Sequence, residues 1–357
     1  MRVIISAGGT MGHINPALCI IEKIKKEDNK SEILYIGTTN RMEKDIIPEK
    51  GIPYLGVDIE GLRRSLTPRN LLVAFKYLKA MNKCKKEIKK FNPDIVIGTG
   101  GYVTAPVVKA AKKLGYKTLV HEQNSIMGLS NKMLLKYTDT LCTSFSNMKP
   151  ENVHYVYTGN PTSEKAIECK AYKKEDFKLS KSKKLVLIVM GSLGSSTVNE
   201  VLKKAVNLFT GKEYQVLIIT GKDYFDEFKN INKNKDVFIY PYIDDLPRLM
   251  KLTDVMVTRA GASTLSEIMA TKTPSILIPS PYVPENHQFK NASDMVKKKA
   301  AVMLEEKDLN EKSLIVEIDK LITDQGKRLD IKDNLEKICK KNSATLIYSE
   351  INKLIKK

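Results

Sequence analysis

The chemistry this sequence can do is concentrated in three glycine clusters and the polar side chains beside them. Gly8-Gly9-Thr10-Met11-Gly12-His13 follows the apolar run Arg2-Val3-Ile4-Ile5-Ser6-Ala7. Gly98-Thr99-Gly100-Gly101-Tyr102 and Gly191-Ser192-Leu193-Gly194-Ser195 close two further β-branched runs. Glycine lets backbone N–H groups approach a phosphate, and a helix starting behind the loop adds partial positive charge. The spacing is neither the dinucleotide G-x-G-x-x-G nor a P-loop, which ends in Gly-Lys-Ser/Thr. Any one cluster is equally a plain tight turn. Three at strand C-terminal ends converge on the crevice where open α/β sheets bind ligands, and that convergence points to an anionic ligand.

His13 stands at the rim of the first loop. At a helix N-terminus its pKa is pushed down, so a neutral imidazole is available at pH 7 to accept a proton. The alternative is a helix-entry residue bonded to the backbone. His121-Glu122-Gln123-Asn124 comes directly after a strand. It is either four hydrogen-bonding side chains at the ligand edge of a sheet or a local turn held by Asn124 among solvated neighbours. Arg259-Ala260-Gly261-Ala262-Ser263-Thr264-Leu265-Ser266-Glu267 also leads from a strand into a helix. Ser263 or Thr264 is placed to cap that helix, with Glu267 in its first turn. Glu267 is then either the acid of a capping box or a carboxylate accepting from both hydroxyls of a ribose. In Pro284-Glu285-Asn286-His287-Gln288-Phe289-Lys290-Asn291-Ala292, Gln288 and Asn291 either read sugar hydroxyls or begin a helix. No strict Asp-x-Asp occurs, which weighs against a carboxylate-bound metal carrying a diphosphate.

Positioning such groups takes strands that end together. Short β-branched runs alternate with longer amphipathic stretches, the pattern of a parallel sheet flanked by helices. Strands are predicted over 3–6, 33–37, 95–98 and 117–121 in the first half, and over 184–190, 215–220, 237–240, 254–258 and 275–279 in the second. A helix is predicted from Pro16 onward, and another, basic one over the last ~25 residues. Both halves open with an apolar run entering a glycine loop, which implies two Rossmann-like domains in tandem. The junction is placed near Gly159-Asn160-Pro161 and the Lys-rich stretch 172–184.

Length and composition agree. The 357 residues suit two domains, and 42% hydrophobic residues can bury two cores. The longest apolar run found, 185–190, is far short of the ~20 residues of a membrane span, and no secretory apolar region precedes the first glycines, so the chain is expected to stay in the cytosol. Cys19, Cys84, Cys142, Cys169 and Cys339 lie far apart, against a zinc ribbon, redox motif or disulfide scaffold. The formal net charge of +19 suggests a polyanionic partner. Between Gly61 and Phe91 stand ten basic residues and a single acid, Glu87. There Leu71, Leu72, Phe75 and Leu78 fall on one face of a helix begun by Pro68, ringed by Arg63, Arg64, Arg69, Lys76, Lys79 and Lys83. This is either a peripheral contact with an anionic membrane surface or a core-facing helix with a solvated lysine face. No interleaved aromatics or nucleic-acid module is found, so nucleic acid is not expected as a partner.

The whole constellation resembles the MurG family of peptidoglycan N-acetylglucosaminyltransferases, with a two-domain GT-B fold. The resemblance spans the chain in order through 8–13, 98–102 with Val103 and Pro106, His121-Glu122-Gln123-Asn124, Gly159-Asn160-Pro161, Ile243-Asp244-Asp245, 259–267, and His287-Gln288 with Asn291-Ala292. It implies an α/β fold of two Rossmann-like domains facing across a cleft. Residues 1–161 would be the acceptor and membrane side and 162–357 the UDP-GlcNAc side, with the C-terminal helix free to pack back on the first domain. It implies transfer of GlcNAc from UDP-GlcNAc to the C4 hydroxyl of MurNAc on undecaprenyl-linked lipid I, giving lipid II with inversion, at the cytoplasmic face of the cell membrane and without a metal or cofactor.

Carried over on that resemblance, the loop with Ser192 and Ser195 holds the diphosphate, Ile243 offers backbone bonds to uracil, and Glu267 takes the ribose. Ala262, Ser263, Thr264, Leu265 and Ser266 line the donor side, Asn124 and Gln288 read GlcNAc, and Thr10, Met11 and Gly12 close over donor and acceptor. Gly100, Gly101 and Tyr102 meet the acceptor. His13 is the candidate base, with Glu122 next. Departures are visible: Met11 and Met190 where glycine is usual, Leu193 where glutamine is usual, and Ser163 where the family commonly has an arginine. The competing readings are a UDP-GlcNAc 2-epimerase-like enzyme, a related lipid-acceptor glycosyltransferase, and a non-catalytic nucleotide-sugar binder.

Overall fold

A computed structural model describes residues 1–61, 69–191 and 195–356. The first compact unit comprises Met1–Thr162 and Asn342–Lys357. Its strands are β1 (Arg2–Ala7), β2 (Glu32–Thr38), β3 (Tyr54–Val57), β4 (Ile95–Gly100), β5 (Lys117–Glu122), β6 (Thr140–Thr143) and β7 (His154–Tyr157). They form one parallel sheet in the order β3-β2-β1-β4-β5-β6-β7. Val3, Ile4 and Ile5 of β1 and Ile95, Val96 and Ile97 of β4 are all buried, as strands covered on both faces must be. On one face Val3, Ile5, Ile95 and Ile97 pack with Ile14, Ala17 and Ile21 of the helix Met11–Glu27 and with Ile347 and Ile351 of the helix Ser343–Ile355. On the other, Ile4, Ile36 and Val96 meet Ala80, Cys84 and Ile88 of the helix Arg69–Phe91 and Val107 and Ala111 of the helix Thr104–Lys113.

The second unit, Ser163–Lys341, repeats the plan. Its strands are β8 (Lys184–Val189), β9 (Tyr214–Ile219), β10 (Val237–Tyr240), β11 (Val255–Thr258), β12 (Ser275–Leu277) and β13 (Val302–Met303). Their order is β10-β9-β8-β11-β12-β13, again parallel. In both sheets the chain starts at a central strand, winds outward, then crosses to the other side. The order therefore reverses between β1 and β4 and between β8 and β11, the switch points that leave a crevice beyond the strand ends.

Two Rossmann-like units are thus present, and every predicted strand lies on an observed one. Beyond the predicted strands the fold has β3, β6, β7 and β13, each of four residues or fewer. The second unit ends at Lys341 and not at 357, because the apolar face of the helix Ser343–Ile355 completes the first unit's core. The first helix starts at Met11, earlier than Pro16, which sits inside it. His13 consequently belongs to a first helical turn and not to the loop before it.

Candidate functional site

At the first switch point the two glycine loops nest. The register between β1 and β4 slips after Ser6, pairing Ala7 with Gly100. Gly8 N–H then donates to Gly100 O at 3.3 Å. Gly101 (φ +88°) approaches so closely that a Cβ there would lie 2.4 Å from Gly8 O. Gly100 (φ +113°) seats the His13 ring, because a Cβ would lie 2.5 Å from His13 Cδ2. His13 Nδ1 is 3.1 Å from Gly8 O. A carbonyl only accepts, so Nδ1 carries the hydrogen. Thr99 Oγ1 donates to His13 O at 2.9 Å, tying the backbone at His13 to β4. Thr10 and Gly12 are exposed and Met11 half-buried. Tyr102 lies against Gly61, and its hydroxyl accepts from Arg41 Nε at 3.4 Å.

The His121–Asn124 segment differs from expectation. Glu122 is buried, and its oxygens accept from Asn124 N–H (3.0 Å), Asn124 Nδ2 (3.3 Å), Gly128 N–H (3.0 Å) and Asn131 Nδ2 (2.8 Å). Burial raises its pKa against those four bonds. Every lone pair is engaged in holding the following turn, which removes Glu122 from the base candidates. His121 is buried too, with Nδ1 accepting from Gln123 Nε2 at 3.0 Å and Nε2 donating to Gly159 O at 3.1 Å. Desolvation pushes its pKa down to about 4, so it is a neutral structural histidine with the opposite tautomer to His13. Of the four polar side chains placed at the sheet edge, only Asn124 reaches solvent.

At the second switch point Gly191 (φ +84°) ends β8, and Ser195 caps the helix Ser196–Ala205 by accepting from Val198 N–H at 3.5 Å. Ser192 lies outside the described residues. Arg259, at the end of β11, is buried and donates through Nη2 to Ser195 Oγ (2.6 Å) and through Nη1 to Ile278 O (3.1 Å). Nη1 also stands 2.6 Å from Glu306 Oε2. A cation is therefore fixed at the third glycine loop, while Ser163 is buried and donates to Lys340 O at 2.9 Å.

The helix Ala262–Thr271 is capped by Gly261, without a side-chain bond. The expected cap by Ser263 or Thr264 is absent because the helix starts before them, and Glu267 lies in its second turn. No described residue hydrogen-bonds the Glu267 carboxylate. Desolvation pushes its pKa up to about 8, opposed only by the charge of Lys165. Ala262, Ser263, Leu265 and Ser266 are buried and Thr264 half-buried. Ile243 is half-buried in the turn after β10, two residues before Asp245 in the left-handed region (φ +48°). Gln288 accepts from Ser280 N–H at 2.9 Å through Oε1, which leaves its amide hydrogens facing away. Asn291 is wholly buried and donates to Ala260 O at 3.2 Å, so it braces the loop after β11 and does not read a ligand.

Glu43, buried under the first glycine loop, and Glu306, the partly buried partner of Arg259, were not singled out from sequence. Neither belongs to a motif, and only the fold places them. On the helix Arg69–Phe91, Val73, Ala80, Met81, Cys84 and Ile88 are the core face, while Leu72, Phe75 and Leu78 are 65%, 67% and 60% exposed. Leu129 and Met133 are exposed as well. The Lys109 ammonium, 5.6 Å from the Tyr77 ring centroid and 5.5 Å from that of Tyr137, links the segments carrying the two groups. Lys76 is paired with Asp58 (3.2 Å) and Glu60 (2.7 Å), so it is not one of the unpaired cations expected there. Arg63, Arg64 and Pro68 lie outside the described residues, as do the side chains of Arg69 and Leu71. Among the described residues no helix is long and apolar enough to cross a membrane.

Comparison with known proteins agrees with this architecture. The glycosyltransferase family 28 N-terminal domain matches residues 3–143 and its C-terminal domain residues 185–347. A UDP-N-acetylglucosamine–N-acetylmuramyl-(pentapeptide) pyrophosphoryl-undecaprenol N-acetylglucosamine transferase of Bacillus cereus is 43% identical over 100% of both chains. The enzyme of the same name from Bacillus licheniformis is 39% identical over 99% of both. The crystal structure of Acinetobacter baumannii MurG superposes with a TM-score of 0.78 at 25% identity, covering 99% of each chain. The calicheamicin glycosyltransferase CalG4, at 12% identity and a TM-score of 0.75 over 100% of this chain and 98% of its own, shares the fold. With both family domains in order and such relatives matched from end to end, the chain belongs to glycosyltransferase family 28 and, within it, to the MurG family.

Proposed function

We infer that this chain moves N-acetylglucosamine from UDP-N-acetylglucosamine to the C4 hydroxyl of N-acetylmuramate in undecaprenyl-linked lipid I, forming lipid II with inversion at the anomeric carbon. The observation that carries the lipid acceptor is the exposed ridge Leu72, Phe75 and Leu78, in the same unit as His13. A nucleotide-sugar epimerase or a soluble sensor has no use for such a surface.

The donor falls to the second unit. Glu267 accepts from the ribose hydroxyls, the turn at Ile243 offers its backbone to uracil, and residues 262–266 line the same side. The loop at Ser195, with Ser192 by resemblance, takes the diphosphate together with the N-terminus of the Ser196–Ala205 helix. Gln288 supplies amide hydrogens to the sugar, a role the resemblance also gives to Asn124. Thr10, Met11 and Gly12 close over donor and acceptor beside His13, and Gly100, Gly101 and Tyr102 meet the acceptor. In the reaction His13 Nε2 takes the C4 hydroxyl proton, and the oxygen lone pair forms the new bond to the anomeric carbon. The bond from that carbon to the diphosphate breaks on the opposite face, and its electron pair leaves with UDP. Backbone amides and the helix terminus stabilise the leaving charge, so no metal is assigned to the step. Among the described residues no group of three or more His, Cys, Asp or Glu is placed to hold one.

The ridge is the membrane contact in this reading, on the cytoplasmic face, and no nucleic acid is involved. Half-inserting three large apolar side chains is worth about 3 kcal/mol, from ~1.5–3 per fully buried residue. Lys79, Lys83, Lys132 and Lys136 are exposed and add ~1 kcal/mol each at an anionic surface. The deciding experiment supplies purified protein with UDP-[14C]GlcNAc and a lipid I analogue. Label is expected in the lipid phase with EDTA present. Label released only as free sugar, or as UDP-linked epimer, overturns the reading.

A further inference from the structure

Glu43 is a buried carboxylate for which the reaction as described has no use. It is 0% exposed, and the groups it meets are neutral donors. Oε1 accepts from Thr38 N–H at 3.0 Å and from Thr38 Oγ1 at 2.7 Å. Oε2 accepts from Gly9 N–H at 3.1 Å. The Arg41 guanidinium feels its charge but does not bond it, and keeping a carboxylate out of water without a bonded cation is unfavourable unless its other bonds are well made. The chain leaves it a slot by omitting two side chains: a Cβ on Gly8 would lie 2.5 Å from Glu43 Oε1, and one on Gly37 would lie 2.7 Å from Glu43 Cγ.

The N–H that Glu43 holds and the C=O that His13 holds belong to one peptide group. Gly9 N–H points to Glu43 Oε2, and across the same trans amide Gly8 O accepts from His13 Nδ1 at 3.1 Å. That peptide joins two glycines, the second at φ +90°, so its own residues restrain its rotation little. We propose that Glu43 is a positioning residue for the base, acting on His13 through the Gly8–Gly9 peptide. Accepting from N–H fixes the plane of the amide and polarises it, which strengthens the carbonyl as acceptor for Nδ1–H. The ring is thereby kept in the tautomer whose Nε2 lone pair takes the proton. The arrangement has the logic of a carboxylate–histidine pair, with one peptide group interposed. The catalytic half of this inference rests on the transferase reading; the tautomer half does not.

The test compares the full-length protein with E43Q and G8A. Gln at 43 sets an NH2 against a backbone N–H in either orientation, and Ala at 8 drives a methyl into the carboxylate. Ring-nitrogen NMR on 15N-histidine-labelled protein reads the tautomers, with His121, hydrogen on Nε2, as an internal reference. In the parent His13 is expected with hydrogen on Nδ1. In both variants its two tautomers are expected to mix while His121 stays unchanged, kcat falls about 10- to 100-fold, and KM for UDP-GlcNAc changes less than about twofold. If E43Q does not fold, G8A carries the test. A folded variant that keeps the Nδ1–H tautomer, or one that loses it with kcat intact, overturns the proposal. A parent that transfers no GlcNAc overturns the transferase reading instead, and the tautomers of parent and variants still decide whether the peptide couples Glu43 to His13.

Discussion

UDP-GlcNAc binding is expected to tighten steeply with pH until about pH 8, because Glu267 must lose a proton to bind. The free carboxyl has no hydrogen-bond donor among the described residues and a pKa of about 8. At pH 7 roughly one molecule in ten is therefore ionised, and ionising the rest costs about 1.4 kcal/mol. Two charge-assisted bonds from a ribose diol return ~1.5–3 kcal/mol each, so the contact remains favourable and the bound pKa falls well below 7. Binding then releases close to one proton at pH 7. The dissociation constant should improve about 50-fold between pH 6 and pH 8 and by only about twofold from pH 8 to pH 9. Calorimetry without acceptor, in two buffers of different ionisation enthalpy, counts the proton directly. UDP-GlcNAc is the right titrant because, unlike UDP, it has no terminal phosphate titrating near pH 6. E267Q should bind weakly with no pH dependence, and H13A should keep the parent's dependence. An affinity flat from pH 6 to 9 in folded parent protein would refute both the ribose contact and the desolvated carboxyl beneath it.

Replacing His13 with Ala should lower kcat by roughly 10²–10⁴ while UDP-GlcNAc affinity barely moves, read by single-turnover transfer and calorimetry. Leu72, Phe75 and Leu78 changed together to Ser should reduce co-sedimentation with anionic liposomes without lowering the melting temperature, since all three already face solvent; unchanged sedimentation at low and high salt removes the ridge from the membrane contact. His121, neutral when folded and at about 4, titrates near 6.5 once unfolded. Its contribution, roughly 3 kcal/mol, is fully present above pH 6.5 and is lost as pH falls towards 4. Urea melts across that window should show the loss in the parent and a flatter profile in H121N.

The architecture was legible because parallel strands buried on both faces announce themselves as continuous apolar runs, and the glycine loops because close backbone approach admits no other residue. Gly100 and Gly101 illustrate this, each with the space of its missing side chain taken by His13 or Gly8. Short strands such as β13 carry too few residues to show a pattern. The polar candidates divide on a property that residue type does not encode, namely whether neighbours already use their lone pairs. Glu122 ends a strand and Glu267 lies in the helix after one, yet of these two acids one is saturated by four donors and the other meets none among the described residues. Glu43 was invisible for the complementary reason. Its partners Thr38 and Gly9 come together only when β1 and β2 pair, and nothing beside it in sequence marks the slot that receives it.

The helix Ser343–Ile355 sets an order of events for biosynthesis. The first unit's sheet can assemble once β7 has emerged, but Ile347, Ile351 and Leu354 are still unmade, and they are part of the cluster that holds Val3, Ile5, Ile95 and Ile97. A nascent chain therefore carries an uncovered apolar face through the whole synthesis of the second unit. The unit begun first is finished last, and a fragment ending at Thr162 would retain that bare face permanently.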